Sequence, residues 1–368
     1  MDRRDHGPDD WQEAVDRPHR ILEAAARFLR RSRPWRRRLE EWGVVDVCPG
    51  QRLVGRRQKC AGQLVLVLFV ERKWTKTEDR ERDEEGRIPR ELTLRFTFEG
   101  IRGRFRIPVD VRPRVRPRAQ GTSRGLAVPR DGETSATLPF EKGAACTVVR
   151  RPGFQAAYLL SCLHVLGSPD WVPGSGLPAR LAVFERPDGS GDEKRLAANP
   201  SIPARFDSRQ ATDAALAALT PDGERKLATK TFWGRARPRR AALTRAEIRA
   251  LRRYEIHRPI GRAIRCEWVS DHDRLEVEIA RPGGTHVYVV HDVIGVRCTS
   301  TEGGRPARTE GGDSGAPVMA GDVLVGMHFA GSGELAWFVP TSRLLFDVAA
   351  FPGGLRLAAD LLPEPVTP

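Results

Sequence analysis

From about Asp10 to Trp42 apolar residues recur at three- and four-residue steps: Trp11, Ala14, Val15, Ile21, Leu22, Ala25, Phe28, Leu29, Leu39 and Trp42. That period lines one face of a helix. It predicts an amphipathic helical segment over residues 1–42, in one or two helices interrupted near Pro18 and Pro34. The pattern then changes. The run QLVLVLFVERKW, Gln63–Trp74, reads as a buried strand, while LTLRFTF and FRIPVDV alternate apolar and polar residues as half-buried strands do. Between them TKTEDRERDEEGR reads as a charged loop, so residues 43–115 are expected to form a small mixed α/β domain. The stretch Arg112–Gly125 is rich in Pro, Gly and Arg, and a linker is placed at residues 116–133.

Beyond the linker short apolar runs dominate: CTVVRR, AAYLLSC, RLAVFER, AALAAL, IRCEWV, LEVEIA, THVYVV, VIGVRC, APVMA, VLVGMHF and LAWFVP. Glycine, proline and aspartate turns separate them, the spacing of an all-β sandwich or barrel. Thr244 followed by Glu247 is a capping box before a short arginine-rich helix. A second helix is expected in SRLLFDVAAF, which closes a domain at residues 134–352 and leaves residues 353–368 as a tail. No internal repeat is found.

Composition narrows the class. With 40% apolar and 30% charged residues the chain is globular rather than disordered. No stretch approaches the roughly 20 apolar residues that span a bilayer, so no membrane association is expected. The first twenty residues carry charge where a signal peptide has its apolar centre, which predicts a cytoplasmic protein. The formal charge of +14 is carried almost wholly by arginine, densest at Ala26–Arg38 and Arg235–Arg253. Solvated faces account for such clusters first, and an acidic partner, nucleic acid included, second. The six cysteines are dispersed without CxxC spacing and are expected to be mostly reduced thiols. Neither a metal nor a cofactor is called for.

The chemistry concentrates in TEGGDSGAPV, Thr309–Val318. A serine hydroxyl becomes a nucleophile when a base takes its proton, and the base needs a carboxylate to hold its tautomer. His164, in SCLHVLG, lies where a β-run ends and the chain turns. Asp213, in TDAALAAL, directly precedes a buried run. Asp207, Asp222, Asp271 and Asp273 are less well placed. Each of the three has a plainer reading, as a turn serine, a structural histidine and a capping aspartate.

GGDSGAPV resembles the nucleophile loop of the chymotrypsin-like serine peptidases. In the same order, SCLHVLG is similar to their histidine motif and TDAALAAL to their aspartate motif. The resemblance covers about residues 134–350 and implies a mainly β fold, a double β-barrel protease domain with the site between barrels. It makes Ser314 the nucleophile, His164 the general base and acid, and Asp213 the orienting carboxylate. The backbone N–H groups of Gly312 and Ser314 become the oxyanion hole, and Asp313 forms a structural ion pair. With no clear activation cleavage site, a buried arginine takes the part that a new N-terminus plays in zymogens.

Two features depart from the family. Leu163 stands before the histidine where a small or polar residue is usual, and Cys162 is displaced from the usual cysteine position, which leaves a Cys146–Cys162 disulfide open. His328, fourteen residues after Ser314, and Thr309, five before it, are similar to the pocket of glutamyl endopeptidases and of viral proteases that cut after glutamine. This implies cleavage of protein or peptide substrates after Glu or Gln; a core-edge histidine and a turn-capping threonine are the plain alternative. The strand-rich part of residues 43–115 resembles a small N-terminal region of some trypsin-like peptidases, which implies a non-catalytic accessory domain with helices that bind a regulatory partner or mask the cleft. A catalytically silent, protease-like scaffold is the competing reading.

Overall fold

The computed structural model describes residues 8–54, 59–71, 87–119, 126–128, 141–167, 183–185, 194–203, 212–229, 238, 240–259, 261–281, 283–302, 305–347 and 350–358. The expected charged loop lies almost wholly outside them. The chain is mainly β and divides into two compact units. The first holds residues 1–115 together with Val269–Asp273, and the second the remainder.

In the first unit the periodic segment forms α1, Pro8–Arg31, and α2, Arg33–Glu41. Pro18 lies inside α1, where it removes one backbone donor without ending the helix. Pro34 occupies the first turn of α2, where a missing N–H costs nothing. Four strands follow: β1, Val44–Val54; β2, Lys59–Val70; β3, Glu91–Phe98; and β4, Ile101–Pro113. β1–β2 and β3–β4 pair antiparallel and β2–β4 parallel. Leu22, Ala25 and Leu29 of α1 and Leu39 of α2 share one core with Leu66, Leu68, Leu92, Leu94 and Ile107, so helices and strands bury each other's apolar faces.

The segment Val269–Asp273 belongs to this unit through polar contacts as well as pairing. Ser270 lies opposite Gly50, where a side chain would strike the Val269 carbonyl. His19 sits between Glu23, at 3.2 Å, and Asp271, at 3.1 Å, and Arg30 pairs with Asp273. The aspartates that read locally as a turn between IRCEWV and LEVEIA therefore lie within one continuous strand, Ile264–Arg281. Long-range partners override the local turn signal.

The second unit contains an eight-stranded sheet that includes Thr147–Arg150, Ala157–Ser161 and Ala215–Leu219. A further set of strands includes Gly284–Cys298, Pro317–Ala320, Val323–Ser332 and Leu335–Pro340. The capping box forms: Thr244 Oγ1 accepts the Glu247 N–H at 3.1 Å before the helix Arg245–Leu251. SRLLFDVAAF departs from expectation, because among its described residues helix is confined to one turn, Thr341–Leu344. Arg356–Leu357, in the expected tail, pairs with Val149–Arg150. Cys48, Cys146, Cys162, Cys266 and Cys298 are free thiols.

Candidate active site

Register explains how His164 and Asp213 meet. Ala157–Ser161 and Ala215–Leu219 are antiparallel with Ser161 opposite Ala215, so the residues after the first strand and before the second emerge at one end. A single helical turn, Leu163–Leu166, then carries His164 back over Asp213. His164 Nδ1 lies 2.6 Å from Asp213 Oδ2, and the His164 backbone N–H donates to Oδ1 at 3.1 Å. The carboxylate thus sets both ring orientation and tautomer. His164 Nε2 is buried and has no hydrogen-bond partner.

Two residues that the sequence did not single out complete the pair. Tyr288 donates its hydroxyl to Asp213 Oδ2 at 2.8 Å, and Arg281 donates to the His164 carbonyl at 2.7 Å. Burial pushes the Asp213 carboxyl up, but His164's charge and the donors from His164 and Tyr288 outweigh it and hold the acid below its ordinary range. Burial, then the Asp213 charge, pushes the Tyr288 phenol well above its ordinary value, so it remains a donor. Cys162 Sγ belongs to the same cluster, within 4.8 Å of ligand atoms on His164 and Asp213. Burial raises its thiol well above the usual range, which makes it a poor metal ligand.

Ser314 stands between two glycines' worth of freedom. Gly312 and Gly315 have φ of 94° and 92°, and a side chain at Gly315 would collide with the Ala144 carbonyl and Ser161 Oγ. The backbone N–H groups of Asp313 and Gly315 are used by the Glu310 and His328 carbonyls, whereas those of Gly312 and Ser314 meet no backbone acceptor among the described residues. Asp313 pairs with a buried arginine, Arg258: Nε lies 3.1 and 2.9 Å from its two oxygens, and the Glu310 N–H donates to the same carboxylate at 2.8 Å.

The serine loop and the histidine segment converge on one carbonyl. His328 O accepts the Gly315 N–H at 2.8 Å and the Cys162 thiol at 3.4 Å. Ser314 Oγ itself donates to Phe329 O at 2.9 Å. Ser314 is 1% exposed and His164 fully buried, so the pair is closed to solvent in this conformation.

A register shift between His328 and Ala330 places His328, opposite Phe338, and Gly331, opposite Ala336, on one face of their strand. Thr309 Oγ1 occupies the space a Gly331 side chain would fill, and this oxygen is buried without a hydrogen-bond partner. His328 Nδ1 lies 3.1 Å from the Trp337 carbonyl and so carries the proton. Burial, with smaller contributions from His164 and Arg258, pushes the imidazole down to about 3 against the raising effect of that carbonyl.

No family model matches the chain, and neither does any curated protein. Solved structures similar to it include Cellulomonas bogoriensis chymotrypsin, at 13% identity over 66% of this chain and 98% of that one, TM-score 0.33. A Nocardiopsis protease matches at 13% over 65% and 98%, TM-score 0.32, and Thermobifida fusca Protease A at 12% over 58% and 91%, TM-score 0.32. Likeness this loose leaves function to be read from the side chains. Among the described residues no helix is long and apolar enough to cross a membrane.

Proposed function

We propose that the chain is a serine endopeptidase with a chymotrypsin-like catalytic domain, its two sets of strands forming two barrels. The observation that carries this reading is the buried His164–Asp213 pair with a free Nε2, beside a serine loop whose two N–H groups lack backbone acceptors. In the reaction Ser314 Oγ leaves the Phe329 carbonyl, gives its proton to His164 Nε2 and attacks the substrate carbonyl carbon. The resulting oxyanion accepts from the Gly312 and Ser314 N–H groups. Imidazolium, stabilised by Asp213, then protonates the departing amine, and water reverses the sequence to release the acyl group.

The pocket refines the expected specificity. With its proton on Nδ1, His328 offers Nε2 as an acceptor, and with its basicity lowered it stays neutral across the working range. A glutamine side chain matches: its amide donates to His328 Nε2 and its oxygen accepts from Thr309. A glutamate offers no donor to that nitrogen. Glutamine before the cleaved bond is therefore favoured over glutamate.

The closed serine favours a second reading, a silent or regulated scaffold. Fluorophosphonate labelling of wild type and Ser314→Ala, with the modified residue located by mass spectrometry, separates the two. Adduct on Ser314 alone supports the peptidase; absence of adduct both in the full chain and after deletion of residues 1–42 supports the scaffold.

A further inference from the structure

The first unit carries arginines that a peptidase site does not use. On the outward face of the β3–β4 hairpin Arg95 lies directly opposite Arg104, with Thr93 opposite Arg106 and Thr97 opposite Arg102. All six are exposed. Arg106 has the Glu91 carboxylate 3.8 Å away. Among the described residues Arg95, Arg102 and Arg104 pair with no acid. Like charges directly opposite one another destabilise a strand pair, and an anion seated between them removes that repulsion.

Beside this pair lies a cavity of about 500 Å³, lined by Phe28, Trp35, Thr93, Arg95 and Arg104. Its size is that of a small-ligand site, and its lining residues are two arginines, two aromatic residues and a threonine, with no acid among them. The rings are held in place by their neighbours: Phe28 stacks on Phe96 at 5.7 Å and Trp35 leans on Trp42 at 6.4 Å. A second cavity, about 750 Å³, runs along α2, lined by Arg33, Arg36, Arg37 and Arg38 together with Glu40 and Glu41, and Arg37 pairs with Glu41 at 3.2 Å. Trp35 belongs to the same helix as those arginines and to the first cavity, so the basic surface is continuous with the aromatic one.

We propose that this face binds single-stranded nucleic acid. A phosphate lies between Arg95 and Arg104, a base rests against Trp35 and Phe28, and the backbone continues along the arginines of α2. An acidic peptide would satisfy the guanidinium groups but give the rings no planar partner, and a duplex keeps its bases stacked away from them. Unpaired bases offer a flat face to aromatic side chains, and arginine suits phosphate through its planar fork of donors.

The test is fluorescence anisotropy of the full chain with a labelled oligothymidylate of about 15 nucleotides, a length within one binding-site size. Heparin, a duplex of equal length and anionic vesicles serve as competitors. Binding at about 50 mM salt that weakens steeply toward about 200 mM is expected. The exposed double variant Arg95→Ala/Arg104→Ala should weaken binding at least about tenfold and reduce the salt slope by about 0.7, the contribution of the one phosphate seated between them on a single strand. Trp35→Leu, which keeps an apolar side chain in the core, should weaken oligonucleotide binding while leaving heparin binding unchanged. No binding at low salt overturns the proposal. So does unchanged affinity in the double variant, equal loss of heparin binding in Trp35→Leu, or stronger competition from duplex or vesicles than from unlabelled oligonucleotide.

Discussion

Replacing Arg258 by methionine should loosen the serine loop at a cost that the structure sets. Arg258 is 6% exposed and Asp313 4%, and the guanidinium Nε spans both carboxylate oxygens. Without it Asp313 keeps only the Glu310 N–H among these contacts, and its carboxyl, already pushed up by burial, loses the charge that opposes that push. Removing one partner of such a pair costs about 3 to 5 kcal/mol, most of it from the charge left behind. The contact of Arg258 with Glu310 adds little, because Glu310 is 71% exposed and solvent screens it. Asp313→Asn should cost a similar amount by taking the buried carboxylate from the guanidinium, but the double variant should cost less than the sum, with a coupling of about 2 to 3 kcal/mol. Urea unfolding followed by tryptophan fluorescence measures all three. Fluorophosphonate labelling should slow in parallel by about 10² to 10³, the usual effect of losing an oxyanion donor, since Gly312 and Ser314 flank Asp313. A cost under about 1 kcal/mol for Arg258→Met, or strict additivity, would refute the reasoning and show that the loop holds its shape unaided.

Tyr288→Phe should lower kcat about tenfold with little change in KM. The acid limb of the kcat/KM profile should move to higher pH, because a carboxylate without the phenol's hydrogen bond holds imidazolium more strongly; an unmoved limb would make Tyr288 merely structural. Gly315→Ala should destabilise by roughly 3 kcal/mol and abolish labelling, given its left-handed φ and the Ala144 carbonyl in the way, as thermal unfolding and the probe would report. His328 binds its proton less well folded than unfolded, so its contribution is complete above pH about 6.5 and is lost as pH falls toward about 3. That interval amounts to about 5 kcal/mol, and His328→Gln should flatten the stability profile between pH about 6.5 and about 4.

What the sequence makes legible is what a short segment encodes. Ser314 and Asp313 announce themselves through the glycines around them, and the Thr244–Glu247 cap through its own spacing. Tyr288 and Arg281 carry no such mark. They reach Asp213 and His164 across 75 and 117 residues, and their place depends on strands that pair far from either motif. Arg258 is one of many arginines, and 55 residues separate it from the aspartate that gives it meaning. The same limit splits the strand Ile264–Arg281 in a local reading, because its middle answers to His19, Arg30 and Gly50 rather than to its neighbours. One turn of helix where SRLLFDVAAF promises more has a comparable origin: Thr341 Oγ1 is anchored to the Ala242 carbonyl and Arg343 to Thr212 and Asp347.

The irregularity after His328 ties recognition to chemistry. An extra residue in this strand turns the Phe329 carbonyl toward Ser314 Oγ, leaves the His328 carbonyl to the Gly315 N–H and Cys162, and brings His328 into line with Gly331 and Thr309. A regular strand would send His328 and Gly331 to opposite faces. Inserting an alanine between Trp337 and Phe338, which gives Phe329 a partner and restores regular pairing with His328 and Gly331 three residues apart, should therefore remove labelling and side-chain preference together, whereas Thr309→Val should erase the preference and leave labelling of Ser314 intact. If that insertion abolished only one of the two, the pocket and the nucleophile would be independent of this shared feature. A joint loss would identify the bulge as the element through which the pocket and the serine are positioned as a unit.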